Sequence, residues 1–166
     1  DGWQQRQARA IGTGRRRGAA RPPVDRAGAA PGPAADAVRA ETARAIGRGF
    51  VKYTGAKKVA VGQDARLSSP ALFKSLVKGI TEEGANVYNL GQVPTECLYF
   101  SVGVYAFDAG IMITASHNPK EYNGFKMLVK KGGDIIWIRG KDLLSVVQGG
   151  NFNDIGGHLC IHNNRK

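Results

Sequence analysis

The run Gly110-Ile111-Met112-Ile113 constrains this chain more than any other feature. It holds no polar side chain, and it breaks off into the polar loop Thr114-Ala115-Ser116-His117-Asn118-Pro119. A short apolar run of this kind, 109–113, reads as a buried strand. The segments around it alternate between helical and extended patterns. Residues 36–53 are amphipathic, with Val38, Ala45, Ile46 and Phe50 on one side and with Gly47 and Gly49 weakening the helix. Strands are expected at 58–61 and 86–90. Between them Ser69 is expected to cap a helix with Pro70 at its first position. Leu72, Phe73, Leu76, Val77 and Ile80 form the inner face of that helix, and Gly84 ends it. A helix over 94–105 opens at Pro94. Residues 124–129 and 134–138 form a strand pair joined by the hairpin turn Lys130-Lys131-Gly132-Gly133. A last helix covers 141–147. Strands alternating with helices predict an α/β fold with a mixed, mostly parallel sheet and helices on both faces.

Ser116 therefore sits at a strand end, where open α/β sheets place their ligand sites. A serine hydroxyl is a weak nucleophile until something activates it. Once phosphorylated it carries about −1.5 to −2 charge and three strong acceptor oxygens, and it can then donate a phosphoryl group. The neighbours suit that chemistry. His117 can donate or accept a proton near neutral pH, Asn118 supplies amide donors, and Pro119 stiffens the loop exit. Tyr122-Asn123-Gly124-Phe125-Lys126 then returns a cation to the same neighbourhood, with Gly124 permitting a tight backbone and Lys126 offering a point charge for phosphate. A serine-hydrolase reading fits poorly. There is no Gly-x-Ser-x-Gly elbow, and consecutive side chains such as those of Ser116 and His117 point apart in an extended segment. Asp64 and Arg66 are expected to order a loop by ion pairing and side-chain-to-backbone hydrogen bonds rather than to catalyse.

Ser116-His117-Asn118-Pro119-Lys120-Glu121-Tyr122-Asn123-Gly124-Phe125-Lys126 resembles the active-site serine loop of the α-D-phosphohexomutases. That superfamily contains phosphoglucomutase, phosphomannomutase and phosphoglucosamine mutase, and the wording of the loop here is nearest to the phosphomannomutase/phosphoglucomutase branch. Three further segments resemble the family in the same order along the chain. They are Glu41-Thr42-Ala43-Arg44-Ala45-Ile46-Gly47-Arg48, Val61-Gly62-Gln63-Asp64-Ala65-Arg66-Leu67-Ser68 and Gly91-Gln92-Val93-Pro94-Thr95. The second matches the family's Gly-Arg-Asp-x-Arg, with Gln63 in place of the first arginine. The resemblance runs from about residue 40 to about residue 150.

It implies the first domain of an isomerase-class enzyme. In such an enzyme the phosphoserine exchanges phosphate between the C1 and C6 positions of a hexose phosphate through a bisphosphate intermediate. It further implies Ser116, His117 and Lys126 as catalytic residues, and Thr114, Asn118 and Lys126 as substrate- and phosphate-binding residues. Mg2+ would be met by Ser116 through its phosphate, a hexose 1,6-bisphosphate would act as activator, and a hexose phosphate would be the substrate. The family's remaining three domains are the implied partners. They carry the magnesium-binding aspartate loop, the sugar loop and a phosphate loop, so the isolated chain is expected to be without turnover. The family's opening strand, ending Tyr-Asp-Ile-Arg-Gly, has only a faint echo in Asp25-Arg26-Ala27-Gly28, and Arg26 is not assigned its role. Two alternatives stay open: a phosphoglucosamine mutase fragment, and a non-catalytic fragment with a basic nucleic-acid-binding arm.

The chain is read as 1–33, set apart by composition, 34–150, and 151–166, set apart because it is unlike the resembled family. The first stretch is rich in arginine, glycine, alanine and proline and lacks lysine, and it supplies much of the +11 formal charge. It cannot bury enough apolar surface to offset its ordering entropy, and is read as a disordered basic tail or an artefactual leader. Nucleic acid is not expected as a partner, because Trp3 is its lone aromatic residue and such arms usually stack bases on aromatics. The last stretch is read as a C-terminal tail, and the middle as one α/β/α domain. No apolar run approaches the ~20 residues of a membrane span, and the N-terminus lacks the hydrophobic run of a secretory signal. Cys97 and Cys160 fit no zinc spacing. Cys97 is expected as a small core residue of its helix, and a cytoplasmic setting is the default.

Overall fold

The computed structural model describes residues 33–120 and 122–161. In chain order the elements are α1 (Pro33–Thr54), β1 (Lys58–Gln63), α2 (Ser69–Glu82), β2 (Asn86–Gln92), α3 (Thr95–Val104), β3 (Ala109–Ile113), β4 (Phe125–Lys131), β5 (Asp134–Ile138), α4 (Gly140–Gly149) and β6 (Leu159–Ile161). The strands of the described residues form one sheet in the order β5-β4-β3-β1-β2-β6. β3, β1, β2 and β6 run parallel, and β4 and β5 extend the β3 edge in antiparallel fashion. This is the mixed, mostly parallel sheet that the alternating pattern predicts.

The sheet's two faces carry different helices because strand side chains alternate. Val59, Val61, Val87, Ile111, Ile113, Phe125, Met127 and Val129 project to one face. There they pack with Ala43, Phe50, Leu72, Leu76, Ile80 and Leu143 of α1, α2 and α4. Ala60, Met112 and Leu128 project to the other face and meet Leu98 and Val102 of α3. All five residues of β3 are buried, since this strand lies inside the sheet with a helical layer on either side. Its inner position explains why its sequence is apolar without alternation. At the β4–β5 turn Gly132 and Gly133 have φ of 61° and 97°, the positive values that a type I′ hairpin uses at both central residues.

Three expectations are corrected. Gly47 does not merely weaken α1: a Cβ there would lie 2.5 Å from the Leu76 carbonyl oxygen, and one at Gly79 would collide with the Arg44 carbonyl oxygen. The two glycines let α1 and α2 cross backbone to backbone. Ser69 is not the cap of α2. Ser68 occupies that position, and Ser69 is buried in the first turn with its hydroxyl donating to Asp64 Oδ1 at 2.7 Å. Cys97 is exposed rather than in the core, because α3 turns Leu98, Ser101 and Val102 inward instead. The side chain of Val38 lies outside the described residues, as do residues 1–32 of the predicted basic tail.

Residues 151–161 follow α4 along the helical layer and end as β6 against β2. Arg48 of α1 holds their start. It donates to buried Glu83 at 2.9 Å, to the Asn153 carbonyl at 2.7 Å and to Asp154 at 2.7 Å, and its guanidinium lies over the Phe152 ring. Lys52 donates to the Asn151 carbonyl, and the Ile155 amide donates to the Glu82 carbonyl. Among the described residues no helix is long and apolar enough to cross a membrane.

The glycine crossing yields a test. Gly79→Ala places a methyl group against the Arg44 carbonyl, where backbone rather than a flexible side chain must give way. Overpacking of this kind typically lowers stability by about 1–3 kcal/mol, which urea unfolding of the two proteins will show. Equal midpoints would mean that the helices are free to part.

Candidate active site

β1 and β3 are parallel neighbours, so their C-terminal ends open side by side. Two loops leave from there: residues 64–68 after β1, and residues 114–124 after β3. The Asp64 amide continues the ladder by donating to the Ile113 carbonyl at 3.0 Å. On the far side of the second loop, the Thr114 amide donates to the Gly124 carbonyl at 2.9 Å and draws the loop's two ends together.

Within the loop the Ser116 amide donates to Thr114 Oγ1 at 3.0 Å, and the Asn118 amide donates to the Ala115 carbonyl at 3.0 Å. Ser116 has φ of 54°, the only positive value at a non-glycine residue among those described. The left-handed region disfavours an L side chain by roughly 1–2 kcal/mol, so the surroundings must impose it. Ser116, His117 and Asn118 are all exposed at the loop's crest, while Thr114 is buried at its base.

Arg66 reaches into the loop from the other side. Its Nη2 donates to the carbonyls of Ser116 (2.9 Å) and Asn118 (2.8 Å). Its Nη1 donates to those of Pro119 (2.7 Å) and Tyr122 (3.1 Å). Its Nε donates to Asp64 Oδ2 at 3.0 Å. Asp64 in turn accepts from the Arg66 amide and from the Ser69 hydroxyl. Burial pushes the Asp64 carboxyl up, but hydrogen bonds from the Ser69 hydroxyl, the Arg66 amide, the Thr114 hydroxyl and the Arg66 guanidinium outweigh it. Together they hold the group below the usual carboxylate range.

A second brace comes from Asn123. Its Nδ2 donates to the hydroxyls of Ser68 and Ser69, both at 2.9 Å, which ties the loop to the start of α2. Lys126 stands on β4 opposite Met112 and is half-buried on the α3 face of the sheet. Among the described residues it makes no hydrogen bond or ion pair. The structure thus gathers Thr114, Ser116, His117 and Asn118 on one loop and places Lys126 on the strand that the loop feeds. Sequence reasoning gave Arg66 and Asp64 their ordering role but did not foresee Asn123 as the tie to α2.

A chain-wide comparison agrees with this architecture. Residues 30–145 match the family model described as phosphoglucomutase/phosphomannomutase, alpha/beta/alpha domain I. The chain belongs to this family. A phosphomannomutase/phosphoglucomutase of Pseudomonas putida is 45% identical over 95 residues, which is 55% of this chain and 20% of that protein. A phosphoglucomutase of Neisseria meningitidis serogroup B is 39% identical over 120 residues, 70% of this chain and 26% of its own length. The crystal structure of a phosphoglucomutase/phosphomannomutase family protein from Burkholderia thailandensis superposes with a TM-score of 0.65 at 34% identity. That match covers 74% of this chain and 29% of the other. The chain spans about a fifth to a quarter of the length of the curated relatives it matches.

The phosphohexomutase family implies magnesium, and the donors on this chain do not by themselves suit it. Mg2+ is bound through carboxylates and substrate phosphates with near-ideal octahedral geometry. Among the described residues no three His, Cys, Asp or Glu side chains gather as a metal site. Asp64, the carboxylate of the loop pair, is already engaged by Ser69 and Arg66. Gln63, where the resembled motif has arginine, ends β1 with its Oε1 buried and without a hydrogen-bond partner among the described residues.

The lowered Asp64 pKa has a consequence for stability. A group depressed in the folded state stabilises the fold above its unfolded pKa, and that contribution is lost as pH falls through the folded value. Stability to urea should therefore decline below about pH 4, the unperturbed carboxylate range. Asp64→Asn should remove part of that acid sensitivity and cost about 1.5–3 kcal/mol at neutral pH, the usual worth of a hydrogen bond to a charged group. An unchanged acid limb in Asp64→Asn would mean that other carboxylates control it.

Proposed function

We propose that this chain is the phosphoserine-bearing first domain of a phosphomannomutase/phosphoglucomutase. In that enzyme, phosphate moves between the C1 and C6 hydroxyls of a hexose phosphate. One observation carries the reading: an exposed serine, the only non-glycine residue with a left-handed backbone among those described, at the C-terminal end of a central parallel strand. A nucleophile that must both give and accept phosphate needs to stand clear of the loop while the loop beneath it stays fixed. Phosphoryl transfer draws most of its rate from positioning and electrostatic stabilisation, and this loop is built for positioning.

Phospho-Ser116 would pass its phosphoryl group to the free hydroxyl of a bound hexose monophosphate. The P–Oγ bond breaks as the bond to the sugar oxygen forms; the sugar hydroxyl gives its proton to a base, and the departing Ser116 Oγ takes one up to become the hydroxyl again. The bisphosphorylated sugar turns over in the cleft, and its other phosphate returns to Ser116. His117, beside the nucleophile, and Lys126, on the adjoining strand, are the groups assigned to proton transfer and phosphate contact. Thr114 and Asn118 shape the loop around the phosphate. A hexose 1,6-bisphosphate would prime a dephosphorylated serine. Any magnesium would meet Ser116 through its phosphate and take its carboxylates from outside the described residues.

Holding sugar and donor together supplies effective molarities of ~10⁵ M or more, and that grip comes from the remaining domains of the relatives. The 166-residue chain alone is therefore expected to leave glucose 1-phosphate unconverted, with Mg2+ and glucose 1,6-bisphosphate present. The complete polypeptide that bears this segment is expected to turn it over, and intact-mass analysis should find one phosphate on the peptide containing Ser116. Ser116→Ala should lose that phosphate and turnover by a factor of at least ~10³, since it removes the covalent route. A complete wild-type protein that never acquires phosphate at Ser116 would refute the reading. Turnover by the isolated chain would refute its dependence on other domains.

A further inference from the structure

We infer that Arg66 is the positioning residue of the phosphoserine and is not a phosphate ligand. The inference rests on the phosphoserine reading of Ser116 and goes beyond it. An arginine beside a phosphate-handling serine would ordinarily be taken to grip the phosphate, because its planar fork suits that anion. Here the fork is already full. A guanidinium has five N–H donors, and Arg66 spends them on Asp64 Oδ2 and on the carbonyls of Ser116, Asn118, Pro119 and Tyr122. Its side chain is only 14% exposed. No donor is left for a ligand.

The four carbonyls come from both limbs of the loop, so one rigid group sets the loop's curvature. The set closes into a circuit. Arg66 holds the Ser116 carbonyl, while the Ser116 amide is held by Thr114 Oγ1. The Thr114 amide reaches the Gly124 carbonyl, and the Gly124 amide donates to Asn123 Oδ1. Asn123 donates to Ser69, Ser69 donates to Asp64, and Asp64 accepts from Arg66. Ser116 is thus gripped at both its amide and its carbonyl, which is what a residue with φ of 54° requires. Lysine cannot replace this arrangement. It offers three donors from one point and cannot span four carbonyls as well as a carboxylate.

The test uses Arg66→Ala and Arg66→Lys in two settings. In the 166-residue chain, amide hydrogen exchange of the 114–124 segment should speed up in both variants, while the strand amides of β1 and β3 keep their protection. In the complete polypeptide, both variants should lower kcat by about 10²-fold, the loss expected from a misplacement on the order of 1 Å. KM for glucose 1-phosphate should stay near the wild-type value. Guanidinium ion added to Arg66→Ala should restore part of kcat. An arginine that binds the phosphate leaves the exchange of 114–124 unchanged in both variants, whichever kinetic constant suffers. That result overturns the inference. An inactive wild type, checked first, overturns the phosphoserine reading, and the exchange experiment then still judges whether Arg66 governs the loop.

Discussion

One guanidinium holds the serine loop in shape. The Arg66 side chain is 14% exposed, and every donor it owns meets an oxygen of the loop or of Asp64. Carbonyls that cluster around a common centre repel one another unless a cation sits among them. With Arg66 in place they form a socket, and the chain between Thr114 and Gly124 bends around it. The left-handed backbone at Ser116 is the product of that bend. Asp64 serves the same end one step removed: it orients the fork through Nε and is itself kept ionised by Ser69, the Arg66 amide and Thr114.

The rest of the fold supplies a base stiff enough for this to matter. β1 and β3 lie inside the sheet, so the points from which the two loops depart are fixed by ladders on both sides. α1 and α2 pack so closely at Gly47 and Gly79 that only backbone separates them. This brings α2's first turn, with Ser68 and Ser69, to a defined position beneath Asn123. The segment after α4 adds a second clamp on the far side: Arg48 joins α1, the buried Glu83 just past the end of α2 and residues 153–154 in one cluster. Breaking such a cluster by removing one partner is costlier than its net worth, since a buried carboxylate would be left unpaired.

Much of this was legible in the amino-acid sequence, and the reasons are physical. β3 announces itself because a strand buried on both faces has no polar residue to blur it. The helices announce their inner faces at Leu72, Leu76 and Ile80 through their spacing. The serine loop is readable because its chemistry depends on side chains. The left-handed Ser116 is not readable, because serine, unlike glycine or asparagine, gives no signal for positive φ. The targets of Arg66 are invisible for a related reason: they are main-chain carbonyls, which every residue owns. Gly47 and Gly79 are ambiguous until the partner helix is known. Read alone, a helical glycine signals weakness. Read against a crossing backbone, it signals contact. Cys97 was misplaced because Leu98, the next residue, faces the core instead, and one residue is a turn of about 100° around a helix. Residues 151–166 were set apart as unlike the family, a reading that says nothing of the backbone pairing of 159–161 with β2.

The most direct test of the central claim is the backbone angle at Ser116 in solution. The three-bond amide–Hα coupling and the carbon shifts of Ser116 should be measured by NMR on the 166-residue chain. A single left-handed conformer, lost when Arg66 is replaced, is the predicted result. Values of an extended residue, or of an average over several conformers in the wild-type chain, would contradict it.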